Sequence, residues 1–255
     1  MLFPAIPPVQ PTAILSALPQ EQRGLIELLQ QPRQITHAGR DFWQGDLHGQ
    51  PVVLALSRIG KVAAATTTAA LIERFGVGRV VFTGVAGGLA EGVRVGDVVV
   101  ATDFVQHDLD VSPLFPRYEV PFYGKTRFDS DGALTALLFK AACAALAQQG
   151  LAAHGFAAAR VHQGLIASGD RFVSGAGESR ALRDALTEAG HPVLAVEMEC
   201  AAVAQVCLDY AVPFAAVRVI SDRADDSAHV DFPSFIEQVA SRYAQLIIEN
   251  FLRML

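Results

Sequence analysis

The chain has 255 residues, 51% of them hydrophobic and 18% charged, with a formal net charge of −6. That length suits one large domain, and so apolar a composition excludes disorder. No apolar stretch reaches the roughly 18 uninterrupted residues of a membrane span. With no basic run the acidic balance argues against a nucleic-acid partner and for a small molecule or a second copy of the chain.

In chain order, MLFPAIPPVQPT (1–12) carries four prolines and no basic segment, and reads as an irregular extension rather than a secretory signal. Residues 13–255 show no linker or repeat and read as a single domain. AILSAL (13–18) is a short strand, followed by a helix from Pro19 to about Gln31 with proline in its first turn. ITHAGRDFWQGDLHGQPVVLALS holds two or three antiparallel strands with glycine-marked turns. Gly60 opens a helix, KVAAATTTAALIERF, that Gly76 ends. RVVFTG (79–84) is an apolar strand running into a Gly-rich turn, GVAGGLAEG (84–92), and GDVVVATDFVQHD is another strand. Residues 131–150, 176–189 and about 233–254 are helical, whereas GLIASGD, PVLAVEME and FAAVRVISD are strands. Near-continuous Val/Ile/Leu strands alternating with helices predict an α/β fold with a mainly parallel sheet covered on both faces.

The cysteines, Cys143, Cys200 and Cys207, are odd in number and form no CxxC, so they read as buried structural thiols of a reducing compartment. Histidines 37, 48, 107, 154, 162, 191 and 229 form neither HxxxH nor HExxH, so no metal site is expected. In sheets of this kind ligands collect beyond the carboxyl ends of the strands. Those ends are Ala17–Glu21, Gly84–Gly88, Ser168–Phe172, Glu197–Glu199 and Arg218–Asp222. The rim therefore gathers Glu21, Glu197, Glu199, Asp222 and Arg218. Such a cluster suits sugar hydroxyls, water and acid/base work; it also suits a structural ion-pair network with caps on the following helices. The Gly-rich turn permits close backbone approach to a ligand, or is a tight packing turn. Lacking a GK[ST], it is a weak phosphate cradle. Phe172 could stack on a planar base or belong to the core.

Residues 14–21 (ILSALPQE), 59–64 (IGKVAA), 83–90 (TGVAGGLA), 96–111, 164–175 (GLIASGDRFVSG), 195–201 (AVEMECA) and 217–229 (VRVISDRADDSAH) resemble the 5′-methylthioadenosine/S-adenosylhomocysteine nucleosidases. These belong to the nucleoside phosphorylase/hydrolase superfamily. The resemblance covers about residues 13–254 and is weakest over 112–130. It implies a three-layer α/β/α sandwich around a central mixed, mainly parallel sheet, a cytoplasmic homodimer, no cofactor, and hydrolysis of the N9–C1′ bond to adenine and a 5-thioribose. It also implies roles. Asp222 is the general acid at adenine N7, oriented by Ser221, and Glu21 the base that activates water. Arg218 helps to hold that water with Glu199, which also accepts the ribose hydroxyls. Met198 packs on the sugar, Phe172 stacks on adenine and the Val173 backbone reads its edge. Ile59, Gly87, Val111 and Phe232 complete the substrate contacts. Glu197 is a structural partner or a second ribose contact.

That chemistry requires a proton donor because adenine leaves poorly unless protonated, and burial lets a carboxyl keep a proton near neutral pH. An oxocarbenium-like sugar is stabilised by nearby carboxylates. Related phosphorylases hold phosphate through an arginine three residues before the serine or threonine of the Gly-rich turn. Phe82 and Val85 stand at those positions, which favours water over phosphate. Val85 also replaces a serine common among the nucleosidases, and Leu18 is expected to line the site. In SPLFPRYEVPFYGKTRF (112–128), Phe115, Tyr118 and Phe122 form either an apolar pocket for the 5′-substituent or a dimer core. Purine nucleoside phosphorolysis, or hydrolysis of a futalosine, is the alternative activity.

Overall fold

A computed structural model describes residues 10–148, 158–225, 228, 232 and 235–255. Strand β1 (Thr12–Ser16) leads into helix α1 (Pro19–Leu28), whose first turn contains the proline that the sequence points to. The helix stops before Gln31 because Gln30 already begins a strand. Three strands follow, β2 (Gln30–His37), β3 (Arg40–Leu47) and β4 (Gln50–Leu56). Ala38–Gly39 and His48–Gly49 join them, all with positive φ, the left-handed geometry of the tightest hairpin turns. Helix α2 (Lys61–Phe75) ends on Gly76 at φ 60, as expected of a left-handed cap.

Strand β5 (Arg79–Gly88) differs from the sequence reading, because the glycines at its end continue the strand instead of turning. Gly87 pairs with Val196 and Gly88 with Ala195. Next come β6 (Val98–Gln106), β7 (Arg127–Asp129) and α3 (Gly132–Ala147), where the Asp131 carboxylate accepts the Leu134 N–H at 2.9 Å. The chain continues through β8 (Val161–Ser168), α4 (Ala176–Glu188), β9 (Val193–Glu197), α5 (Cys200–Asp209) and β10 (Phe214–Asp222). A π-helical turn, Ile236–Ala240, leads into α6 (Ser241–Arg253), so the expected single helix over 233–254 is two pieces. Its first residues, His154, His229 and most of the N-terminal extension lie outside the described residues. Thr12, assigned to that extension, belongs to β1.

The sheet runs β2–β3–β4–β1–β5, and β5 then pairs with both β10 and β9. Since β10 joins β6, β6 joins β8 and β8 joins β9, these strands close into a ring. The sheet is thus partly a closed ring and not simply the flat middle layer of the expected sandwich. Parallel and antiparallel pairings are equally represented among the described residues, so the sheet is mixed without being mainly parallel.

Alternation along the strands sorts the core into two sides. Ile14, Val81, Val100 and Val217 pack with residues of α1, α3 and α6, such as Leu25, Leu138 and Phe251. Leu15, Phe82, Val99, Ala216 and Ile220 face the other way, toward Ala64 and Leu71 of α2 and Val203 of α5. Arg218 falls between Ala216 and Ile220 on this second side, where the pattern otherwise places a hydrophobic residue.

Candidate active site

The ends of β1, β5, β8, β9 and β10 open on one cavity of about 300 Å³, within the size of small-molecule sites. The convergence has a cause that the sequence rule does not contain. β9 runs antiparallel to β5 and meets it only through the last residues of each, so two carboxyl ends cross at one point. Ala17, Leu18, Glu21, Ile59, Val85, Ala86, Gly87, Phe172, Val173, Met198, Glu199, Ser221, Asp222 and Phe232 line the cavity, with Arg171, Val196 and Glu197.

Glu21 is buried in the first turn of α1. Its Oε2 accepts the N–H groups of Ala17 (2.8 Å) and Leu18 (2.9 Å), and its Oε1 accepts that of Val85 (3.1 Å). Reaching back to Leu18, it satisfies donors that a helix start leaves free. Burial raises its pKa, opposed by Arg218 and these backbone donors.

Glu197 is fully engaged. It accepts from Arg218 Nη2 at 2.5 Å, from the Ser168 hydroxyl, and from the N–H groups of Glu199 and Cys200. The carboxylate thus caps α5 and neutralises Arg218 at once. Burial pushes its pKa up, but Arg218, Ser168 and the backbone donors outweigh this and hold it low. Of the two roles open for Glu197, the geometry supports the structural one.

Among the described residues, Glu199 accepts only from Gly60 N–H at 3.0 Å and, more distantly, Arg218 Nη2 at 3.5 Å. Burial and the like charge of Glu197 push its pKa up to about 8. Arg218 is 1% exposed and does not line the cavity. Its guanidinium lies over the Phe82 ring, with Cζ 4.1 Å from the centroid, and touches Cys200 Sγ at 3.1 Å. Arg218, expected to help hold the reacting water with Glu199, thus lies beside Glu197 and Glu199, both of which line the cavity. Gly84 makes room for it. A Cβ there would collide with Arg218 Nη1 and stand 2.9 Å from Glu21 Oε1.

At the end of β10, Asp222 Oδ2 accepts the Ser221 hydroxyl at 2.7 Å and Oδ1 accepts the Ala224 N–H at 2.8 Å. The Asp222 carboxylate abuts Gly87, where a Cβ would lie 3.0 Å from Oδ1. Phe172 is 43% exposed and meets Phe232 edge-on, with centroids 5.5 Å apart. This supports a stacking surface over a core role.

Val111 does not line the cavity. Asp110 accepts the Ser112 N–H at 3.0 Å and Val111 O accepts the Leu114 N–H at 3.0 Å, so the chain turns there. Neither Phe115, Tyr118 nor Phe122 reaches the cavity either. Tyr118 is buried against His191, and Phe122 is 95% exposed. Cys200 and Cys207 are buried as expected, but Cys143 is exposed. Sequence reasoning missed Arg171, which lines the mouth and pairs with Glu178 at 3.0 Å; it precedes Phe172 directly, and only that adjacency could have pointed to it. Among the described residues no group of three or more His, Cys, Asp or Glu is arranged to hold a metal ion.

Residues 11–253 match the family model of the phosphorylase superfamily. A 5′-methylthioadenosine/S-adenosylhomocysteine nucleosidase of Bacillus thuringiensis is 38% identical over 238 residues, 93% of this chain and 96% of the relative. This chain belongs to that nucleosidase family. The solved nucleosidase of Neisseria meningitidis, in complex with methylthio-immucillin-A, superposes with a TM-score of 0.83 at 37% identity, covering 96% of this chain and 100% of that one. A futalosine hydrolase of Helicobacter pylori matches with a TM-score of 0.83 at 33% identity, covering 97% and 99%. The fold is thus shared with proteins named for different reactions.

Proposed function

We propose that this protein hydrolyses the N-glycosidic bond of 5′-thio-substituted adenosines, methylthioadenosine and S-adenosylhomocysteine, releasing adenine and a 5-thioribose. The observation that carries the reading is the meeting of Glu21, Glu199 and Asp222 around one cavity, in a chain whose relatives bear that name. Asp222, steadied by Ser221 and Ala224, protonates adenine N7 as the bond breaks. Glu21 takes the proton of the attacking water. Glu199 accepts the ribose hydroxyls, and Arg218 acts through Glu197 and Glu199 by fixing their charge. Phe172 stacks on the base, the Val173 backbone reads its edge, and Met198 packs on the sugar, with Ile59, Gly87 and Phe232 completing the walls. A base, an acid and a ribose acceptor together are more than binding alone requires.

Water is favoured over phosphate because Phe82 is committed to Arg218 and Val85 offers an isopropyl group where a dianion needs donors. The single domain over residues 13–255 acts in the cytoplasm, in methionine salvage, as a homodimer. Ile59, Val62, Leu114 and Phe122 are large exposed apolar residues that suit a partner subunit, and Val111 would meet substrate only across such an interface. A futalosine is the second candidate, because the futalosine hydrolase matches with the same TM-score as the Neisseria nucleosidase.

The deciding experiment is a panel of 5′-substituted adenosines and a futalosine, with and without phosphate, assayed for free base. Phosphate-independent adenine release is expected. Release that requires phosphate makes the enzyme a phosphorylase, and turnover of the futalosine alone gives the site to the second candidate.

A further inference from the structure

Beside the cavity, three segments are tied by a cycle of polar contacts that the reaction itself does not use. The Lys61 N–H, at the start of α2, donates to Asp170 Oδ1 at 2.8 Å. The Asp170 N–H, just past β8, donates to Asp108 Oδ2 at 2.8 Å. Asp108 Oδ1, just past β6, accepts the Lys61 ammonium at 2.5 Å, which closes the cycle. Its neighbours in sequence are the substrate walls. Gly60, whose N–H donates to Glu199, precedes Lys61. Phe172 and Val173 follow Asp170 closely.

The cycle admits little slack. At Gly60, with φ +96, a Cβ would stand 3.1 Å from Asp170 Oδ1, and at Gly169 it would run into the His107 ring. Burial pushes the Asp108 pKa up, but Lys61 and the Asp170 N–H outweigh it and hold the carboxyl below its ordinary value. The first N–H groups of a helix have no partner within it. Here one is given to Asp170, and the Gly60 N–H beside it is left to Glu199.

We propose that Lys61, Asp108 and Asp170 are positioning residues for the nucleoside: their cycle holds the Gly60 N–H against Glu199 and sets Phe172 and Val173 at the base. The inference rests on the nucleosidase reading of the cavity. None of the three residues lines the cavity. They act by fixing the distance between the wall that meets the ribose and the wall that meets the base, and small misplacements of such walls are costly to turnover.

The test compares wild type, Asp170→Ala, Asp170→Asn and Lys61→Met by steady-state adenine release across pH and by amide hydrogen exchange of the ligand-free proteins. For Asp170→Ala, kcat/KM is expected to fall roughly 10–100-fold, mainly through KM. Its Glu199 limb should move to higher pH, because a bond favouring the ionised carboxylate is weakened. Exchange at Gly60 and Lys61 should quicken at least about tenfold. Asp170→Asn keeps an acceptor for the Lys61 N–H and should retain most of the activity. If Asp170→Ala does not fold, Lys61→Met, which cuts the same cycle at its ion pair, is judged by the same criteria. Quickened exchange with unchanged kcat/KM makes the cycle structural only and overturns the proposal, as does unchanged exchange. A wild type that releases no adenine instead overturns the nucleosidase reading. The exchange data, which need no turnover, still decide whether the cycle holds Gly60.

Discussion

Four buried carboxylates ring this cavity or back it, and their partners separate their tasks. Asp222 is held by a hydroxyl and a backbone N–H with its face toward the cavity. Asp222→Asn should therefore fold normally while adenine release falls at least about 100-fold, as for loss of a general acid. Retention of more than about a tenth of the activity would remove it from that role. Glu199 is tested by pH. Its folded pKa of about 8 lies far above the roughly 4.3 of an exposed glutamate. Between those values the unfolded chain releases this proton and the folded chain keeps it, so this group's contribution to stability declines as pH rises. Glu199→Gln does not titrate and should gain on the wild type in denaturant melts between about pH 5 and pH 8. A constant difference across that range would mean an ordinary pKa. Glu197 has the opposite sign. Its pKa is depressed, so its stabilisation is present above the unfolded value and lost as pH falls through the folded one.

Strands and helices place these groups by exchanging partners. Glu21 and Glu197 serve as caps of α1 and α5 as well as members of the site, so helix caps and a functional cluster turn out to be compatible readings of the same residues. The Arg218–Glu197 pair is buried on both sides. Arg218→Ala should cost about 3–5 kcal/mol in chemical denaturation, because it strands Glu197 without its counter-charge. A loss below about 1 kcal/mol would mean that Ser168 and the α5 backbone suffice for Glu197. At Gly84, the parallel register of β5 and β10 sets it opposite Arg218 and leaves no space for a methyl group beside the guanidinium. Gly84→Ala should destabilise by about 1–3 kcal/mol, the range for overpacking, and wild-type stability would show that Arg218 can move aside. The end of β5 was misread in the sequence because glycines in a row signal a turn locally. Only the tertiary pairing gives them ladder partners, Val196 and Asp222 for Gly87 and Ala195 for Gly88.

For the whole molecule, the exposed apolar residues Ile59, Val62, Leu114 and Phe122 predict self-association. The chain should sediment as a dimer, and Phe122→Glu should weaken that dimer and raise KM for 5′-substituted substrates by burying a charge at the interface. A monomeric wild type with full activity would leave the exposed rings without this role. The segment 112–128 was the least legible part of the sequence for a related reason. Its aromatic residues are divided between the core, as at Tyr118, and the surface, as at Phe122, and nothing in their spacing distinguishes the two.

By itself the sequence determined the order of most strands and helices though not β7, the segments at the rim on which the carboxylates stand, and the family, because hydrophobic period, glycine caps and the VEME and ISD segments are local properties. The tertiary structure alone decided that the sheet closes into a ring, that Glu197 belongs to Arg218 while Glu199 stays open to a ligand, and that Val111 does not line the cavity. These depend on which strand meets which and in what direction, and on how one buried cation divides its attraction between two carboxylates two residues apart.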